Sequence, residues 1–212
     1  MKKVLLFLVF FSLFSLSVIA ADIEKLEFPV VLTSGGQSDE VNTVIYLAEE
    51  IAIAYDYCDI LSINEFSAGV GLGGAKDGQG KHVTVSSKEP AGTTFKTLWI
   101  ALGASLKGMG ASGLSVDDEV GRLKELIDYA KKNNIKILSF AIGGEIRRGL
   151  PGSPNEAMID AVAPYSDLIV VTADTNMDDR FNKIAEEHGI PLIEVESAFD
   201  LLDTIPEIFV EN

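Results

Sequence analysis

Short apolar segments alternate with amphipathic segments along most of the chain, and this rhythm restricts the fold more than any other feature of the sequence. The predicted strands are 28–33, 59–62, 97–102, 135–142, 167–172 and 191–195, and the predicted helices are 39–55, 116–133, 155–163, 178–188 and 197–209. Residues 168–171, Leu-Ile-Val-Val, are apolar throughout, as expected for a strand that is buried on both faces. Alternating strands and helices favour parallel pairing with right-handed crossovers. We therefore predict a three-layer α/β/α sandwich with a doubly wound, mostly parallel sheet of about six strands, Rossmann-like or flavodoxin-like.

The amino-terminal residues have the pattern of a secretory signal peptide. Lys2 and Lys3 precede an apolar run over 4–19, and Val18 and Ala20 have the small-residue spacing of a cleavage site. We predict a signal peptide over 1–20 and a periplasmic or extracellular location after cleavage. An uncleaved membrane anchor is the alternative, because the run is nearly long enough to span a bilayer. Residues 21–212 are predicted to form a single α/β domain.

Charge and cysteine content restrict the partners of this domain. The formal net charge is −15, so we expect no binding to nucleic acid and, after cleavage, none to a membrane surface. Cys58 is the only cysteine, which excludes an intrachain disulfide and a site built from several thiolates. We expect Cys58 to pack as a small apolar side chain.

Residues 63–92 lose the periodicity and are rich in glycine, so we interpret them as an excursion from the main sheet. Residues 81–87 alternate enough for a short hairpin or an edge strand. Residues 69–74 match the glycine spacing of a dinucleotide-binding loop, but no clear strand precedes them and no helix follows. We therefore predict a flexible loop there and no dinucleotide site.

Four unusual loops follow predicted strands: 34–38, 103–113, 143–149 and 173–176. In an open parallel sheet the loops at the carboxyl ends of the strands line one crevice, and ligands bind where the strand order reverses. Glycines in such loops permit positive φ angles and leave amides uncovered, as an anion-binding loop requires. The alternative is that these glycines serve tight packing whatever the function.

From these loops we predict a site for a small anionic or polar ligand. Lys107 and Arg147 would supply positive charge, and Glu145 would orient an arginine or bind a ligand hydroxyl. The predicted ligand-binding residues are Ser34, Gly35, Gly36, Gln37, Ser38, Ser105, Lys107, Gly108, Glu145 and Arg147.

Two other functions are left open by the sequence. The first is a hydrolase or transferase in the same crevice, with Glu145 or Asp174 as general acid or base, acting with or without a divalent cation. The second is an interaction module that binds a protein partner through 63–92. The two histidines, His82 and His188, lie outside the candidate loops, so a histidine-based triad is not predicted. No cofactor is assigned, and no metal site is predicted, because Asp178 and Asp179 are typical acids of a helix start.

Three motifs carry a resemblance to a known family: TSGGQS at 33–38, GASLKGMGA at 103–111 and GGEIRRG at 143–149. Together they resemble a family of exported bacterial proteins catalogued only as a domain of unknown function. The resemblance covers about 28–194, and the chain departs from the pattern between Asn64 and Pro90. It implies export and an α/β fold, and it carries no established reaction.

Overall fold

Strand pairing in the computed structural model, which describes residues 17–18 and 23–210, produces one eight-stranded sheet. In chain order the strands are β1 (Ser17–Val18), β2 (Val30–Gly35), β3 (Tyr55–Cys58), β4 (Val83–Val85), β5 (Thr97–Leu102), β6 (Lys136–Ala141), β7 (Leu168–Thr172) and β8 (Leu192–Val195). Their order across the sheet is β1-β8-β7-β6-β5-β2-β3-β4. The six inner strands are parallel, and β1 and β4 pair antiparallel at the two edges.

Helices cover both faces of this sheet. They are α1 (Glu40–Glu50), α2 (Ile63–Ser67), α3 (Leu106–Ala111), α4 (Val116–Lys132), α5 (Pro154–Val162), α6 (Arg180–His188) and α7 (Leu201–Glu207). Alternate residues of β5 belong to two different cores: Leu98 and Ile100 pack with α4 and α5, whereas Trp99 and Ala101 pack with α1 and α7. The predicted three-layer architecture is confirmed.

The order of the parallel strands is that of the flavodoxin-like variant of this architecture, because β2 lies between β3 and β5. The chain leaves β2 towards β3 on one side and returns to β5 on the other. The order therefore reverses at the carboxyl ends of β2 and β5, which is where open α/β sheets bind ligands.

The first helix and the second strand differ from the prediction. α1 ends at Glu50 instead of residue 55, because Ala52 takes a left-handed φ of 57° and the Ile53 amide turns back to the Ala48 carbonyl. The chain is then free to form β3 at Tyr55–Cys58 instead of 59–62, with all four residues buried. Asp59 consequently lies at the carboxyl end of a strand and not at its start.

The glycine-rich loop and the excursion also contain more regular structure than predicted. Ser105 begins α3 inside the predicted loop 103–113, and its Oγ accepts a hydrogen bond from the Gly108 amide. Within the excursion, α2 is followed by the predicted edge strand, which is confirmed as β4 on β3. The signal-peptide prediction concerns residues that, apart from Ser17–Val18, lie outside the described ones. Across the residues described, no helix combines the length and apolar character needed to span a bilayer.

Candidate functional site

The loops that follow β2 and β5 are bound to each other through their backbones. The Gly103 amide donates to the Gly35 carbonyl at 3.0 Å, and the Ser105 amide donates to the Gly36 carbonyl at 2.8 Å. A Cβ atom on Gly36, where φ is 117°, would lie 2.4 Å from the Gly103 carbonyl oxygen. The crevice at the β2–β5 boundary is therefore filled by the loops themselves, and Gly36 makes their close approach possible.

Several glycine amides of the loops predicted to bind an anion instead donate hydrogen bonds within the protein. Gly36 donates to Glu119 Oε1 at 2.9 Å, and Gly144 donates to Thr175 Oγ1 at 2.8 Å. Gly108, besides donating to Ser105, leaves no room for a side chain, since a Cβ there would lie 2.3 Å from the Gln37 carbonyl oxygen. These three glycines therefore serve packing between loops, which is the alternative that the sequence left open.

A buried ion pair on α4 supports the loop after β2. Glu119 is fully buried, and its carboxylate accepts hydrogen bonds from Arg122 Nη2 at 2.6 Å and Nε at 2.8 Å. Arg122 also donates to the Ser34 carbonyl at 2.6 Å and to the Leu61 carbonyl at 3.1 Å. One side chain thus joins α4 to the chain segments that leave β2 and β3. Glu119 lies in the first turn of α4, and nothing in the local sequence shows that this acid faces inward, so it was not among the predicted functional residues.

Lys107 and Arg147, the predicted cations, do not line a common cavity with Ser34. Ser34 is fully buried, and its Oγ accepts from the Gln37 amide at 2.8 Å. Lys107 is exposed on α3. Arg147 forms an ion pair with Glu40 at 2.5 Å and lines a separate cavity of only about 10 Å³. That volume holds about one water molecule, so it is too small for a metabolite.

Glu145 does not orient either neighbouring arginine through its side chain, because both arginines have other acidic partners. Glu145 is exposed, and Arg147 is held by Glu40 instead. Arg148 is nearly buried and pairs with Glu156 at 2.8 Å and with Asp178 at 2.8 Å. The two arginines therefore stabilise the loop 143–149 and the segment after β7.

A larger cavity of about 460 Å³ lies at the carboxyl ends of β2 and β3. Its lining combines the loop after β2, the end of β3, part of α3 and the tip of the excursion. The lining residues are Gln37, Ser38, Asp39, Val41, Asn42, Tyr57, Asp59, Gly80, His82, Gly108, Ala111 and Ser112. Of the predicted ligand-binding residues, Gln37, Ser38 and Gly108 are in this set. The other predicted residues, Ser34, Gly35, Gly36, Ser105, Lys107, Glu145 and Arg147, are not.

The end of β3 places an acid and a phenol in this cavity. Burial raises the pKa of the Asp59 carboxyl above its usual range, while Arg122 and a hydrogen bond from Tyr57 act in the opposite direction. Burial and the neighbouring Asp59 charge raise the pKa of Tyr57 as well. Tyr57 therefore remains a neutral phenol beside the Asp59 carboxylate. The sequence missed both residues because the predicted helix ended at 55 and the predicted strand began at 59, which left Tyr57 between elements and Asp59 at the start of a strand.

The excursion completes the cavity from outside the main sheet. The Asp59 amide donates to the His82 carbonyl at 3.1 Å, so Gly80 and His82 are carried to the rim by the β3–β4 pairing. The buried Asp56 carboxylate holds an earlier part of the excursion, since it accepts a hydrogen bond from the Gly71 amide at 2.6 Å. The segment resembling a dinucleotide loop is thus anchored to β3, and it does not open a helix. Within residues 17–18 and 23–210, no group of three or more His, Cys, Asp or Glu side chains could hold a metal ion together.

The chain belongs to the family described as a domain of unknown function (DUF6305), whose model matches residues 27–209. A search of curated proteins and a search of solved structures each returned no match. Membership confirms the family resemblance drawn from the three motifs and supplies no activity.

Proposed function

We propose that this member of the family binds a small polar molecule in the cavity at the carboxyl ends of β2 and β3. The observation that carries the proposal is the cavity itself. It has a volume of about 460 Å³ and lies beside the point where the strand order reverses. Metabolite-sized ligands occupy pockets of roughly 300–1,000 Å³. Open α/β sheets bind ligands near such reversals, and here the open space lies on the β3 side because the loops after β2 and β5 fill the crevice between those two strands.

The composition of the lining supports a polar ligand. Ser38, Asn42 and Ser112 offer hydroxyl and amide groups that can both donate and accept hydrogen bonds. Asp39 and Asp59 add two carboxylates, and no lysine or arginine within 23–210 belongs to the lining. This charge distribution disfavours the anionic ligand that the loop sequences suggested. Lys107 and Arg147, the cations of that earlier hypothesis, lie outside the lining.

The support beneath the cavity favours binding to a preformed site. Arg122 and Glu119 fix the Ser34 carbonyl and the Gly36 amide, and Gln37 Nε2 donates to the Asp59 carbonyl at 3.2 Å. The two loops that carry most of the polar lining are therefore held together before a ligand arrives. A preformed site loses less conformational entropy when it binds.

Thermal shift with a panel of small polar metabolites tests the proposal. Ala111→Trp adds a large side chain to the lining, and Lys107→Trp adds the same side chain to an exposed position of the same helix. At a concentration about 100-fold above Kd, a ligand stabilises the parent by about 2.7 kcal/mol, which raises Tm by several degrees. We expect Lys107→Trp to keep this response and Ala111→Trp to lose it.

The Lys107→Trp variant also separates the two locations of the site. Loss of the response in Lys107→Trp with retention in Ala111→Trp would place the ligand on the predicted loop around Lys107. An equal response in all three proteins would show that the cavity is not the site.

We also propose that the domain acts outside the cytoplasm. The support is the signal-peptide pattern of Lys2, Lys3, the apolar run and Ala20, together with the matched family region, which begins after that pattern at residue 27. Expression of the full chain in a bacterium with a periplasm, followed by mass measurement of the periplasmic protein, tests this. A periplasmic product that begins at Ala21 is the expected result, and a cytoplasmic product that begins at Met1 would contradict it.

A further inference from the structure

We infer that the cavity recognises a positively charged amino group, and that Asp59 and Gln37 are the groups that receive it. The inference rests on the proposed function and narrows its ligand to a class: a small organic molecule with a primary ammonium group and a neutral polar body. Three independent features of the lining lead to it.

The first feature is an acid without a cationic partner. Within the described part of the chain, neither Asp39 nor Asp59 forms an ion pair, although eleven other pairs are present. Arg122 is near Asp59, but its guanidinium donates to Glu119, Thr33 and two carbonyls instead. Partly buried carboxylates are normally paired, because removing a charge from water is unfavourable. A ligand cation supplies the missing pair.

The second feature is an acceptor without a donor. Gln37 lines the cavity and is 8% exposed, and its buried Oε1 receives no hydrogen bond from the residues that the structure describes. The orientation of the amide is fixed by its neighbours, because Nε2 lies 3.2 Å from the Asp59 carbonyl and 3.3 Å from Glu119 Oε1. Both neighbours are acceptors, so exchanging the amide nitrogen and oxygen would lose both bonds. The group still required by Gln37 is a donor.

The third feature is the balance of charge across the lining. Its ionisable side chains are Asp39, Tyr57, Asp59 and His82, and burial keeps the Tyr57 phenol neutral by raising its pKa. His82 lies at the rim with a largely exposed side chain that faces Asp77. An ammonium group has three donors and no acceptor, so it can supply both the positive charge that Asp59 lacks and the donor that Gln37 Oε1 lacks. A ligand carboxylate would instead meet Asp39 or Asp59.

Matched pairs of compounds test charge recognition separately from binding. Glucosamine and glucose differ at one position, and putrescine and 1,4-butanediol differ at their two ends. Isothermal titration at pH 7, with ionic strength equalised by potassium chloride, compares each amine with its neutral partner. We expect at least one amine to bind and its neutral partner to bind at least about tenfold more weakly, since charged hydrogen bonds are about twice as strong as neutral ones.

Variants of the cavity lining, compared with a variant of an exposed acid elsewhere, show whether the amine is recognised by the lining. Asp59→Asn keeps the side-chain shape and leaves its backbone bonds in place, and we expect it to weaken amine binding by about tenfold or more. Tyr57→Phe is the second variant: it removes the phenol hydroxyl from the lining and leaves the Asp59 carboxylate, so we expect it to retain the preference for the amine. Asp117→Asn removes an exposed acid at the start of α4, away from the lining, and controls for general attraction of cations to an acidic protein.

Each outcome decides one of the two proposals. Equal binding of amines and neutral partners, abolished by Ala111→Trp, would overturn charge recognition and retain the cavity as the site. Amine binding that Asp59→Asn and Asp117→Asn weaken equally would also overturn it, as would an absence of amine binding by the parent protein. If no compound that binds is blocked by Ala111→Trp, the proposed function fails first and the inference fails with it.

Discussion

Arg122 holds the chain segments that leave β2 and β3, although it does not line the cavity itself. Its guanidinium joins Glu119 on its own helix to Thr33 and to the carbonyls of Ser34 and Leu61. Apart from Glu119, its partners lie at or just beyond the carboxyl ends of β2 and β3, so the positions of Gln37 and Asp59 depend on a residue that neither ligand nor solvent reaches easily. Such residues are found by geometry and not by sequence motifs.

Arg122→Met should destabilise the protein strongly. The variant leaves Glu119, which is fully buried, without its cation, and removing one partner of a buried pair costs about 3–5 kcal/mol in the free energy of unfolding. Lys131→Met is the control, because the Lys131–Asp167 pair is partly exposed and contributes at most about 1 kcal/mol. Urea denaturation followed by the fluorescence of Trp99, the single tryptophan, measures both variants. Similar losses in the two would contradict a structural role for the buried pair.

At the scale of single elements, the short helix α3 shows why the glycine-rich segment was misread. Four glycines within 103–113 suggested an open loop, yet Ser105 caps a helix that contains two of them. Gly108 is required by its distance to the Gln37 carbonyl, whereas a Cβ on Gly110 would meet no atom within 4 Å. The same residue type therefore has opposite significance at two positions of one helix.

Alanine substitutions at these two glycines should change stability in opposite directions. Gly110→Ala should raise the free energy of unfolding by up to about 1 kcal/mol, because alanine favours a helix over glycine. Gly108→Ala should lower it by about 1–3 kcal/mol, since the Cβ would force α3 away from the loop after β2. Thermal and urea unfolding of both variants against the parent measure the difference. A gain in stability for Gly108→Ala would show that α3 moves freely against that loop.

At the scale of the whole molecule, the architecture could be predicted from sequence and the site only in part. Strand and helix periodicities are local, so the alternation was sufficient to identify a doubly wound sheet. The cavity depends on strand order and on one boundary, because Asp59 reaches it only when β3 ends at Cys58 and lies beside β2. The predicted ligand-binding residues therefore do not form one site. Some line the cavity, others pack one loop against another, and Arg147 belongs to an ion pair.

Burial also differs between the centre and the edge of the sheet, and this difference bears on how a ligand enters the cavity. β5 is central and fully buried, whereas β4 has three partly or fully exposed residues and pairs only with β3. The excursion that carries Gly80 and His82 to the cavity is attached through this edge strand. Elements with few buried contacts open locally at a smaller free energy than the core. The wall formed by the excursion is therefore the expected entrance.

Hydrogen exchange measured by mass spectrometry tests this entrance. In the free protein, we expect the amides of β4 and the neighbouring 78–82 segment to exchange at least about 100-fold faster than those of β5, a difference in opening free energy of about 2.7 kcal/mol. Glucosamine or putrescine, whichever binds, should slow exchange in 37–42 and 78–82, because both segments line the cavity. The loop 143–149, which carries Arg147, serves as the internal reference and should exchange equally with and without the amine. Protection of that loop instead of 78–82 would return the site to Arg147 and separate it from the excursion.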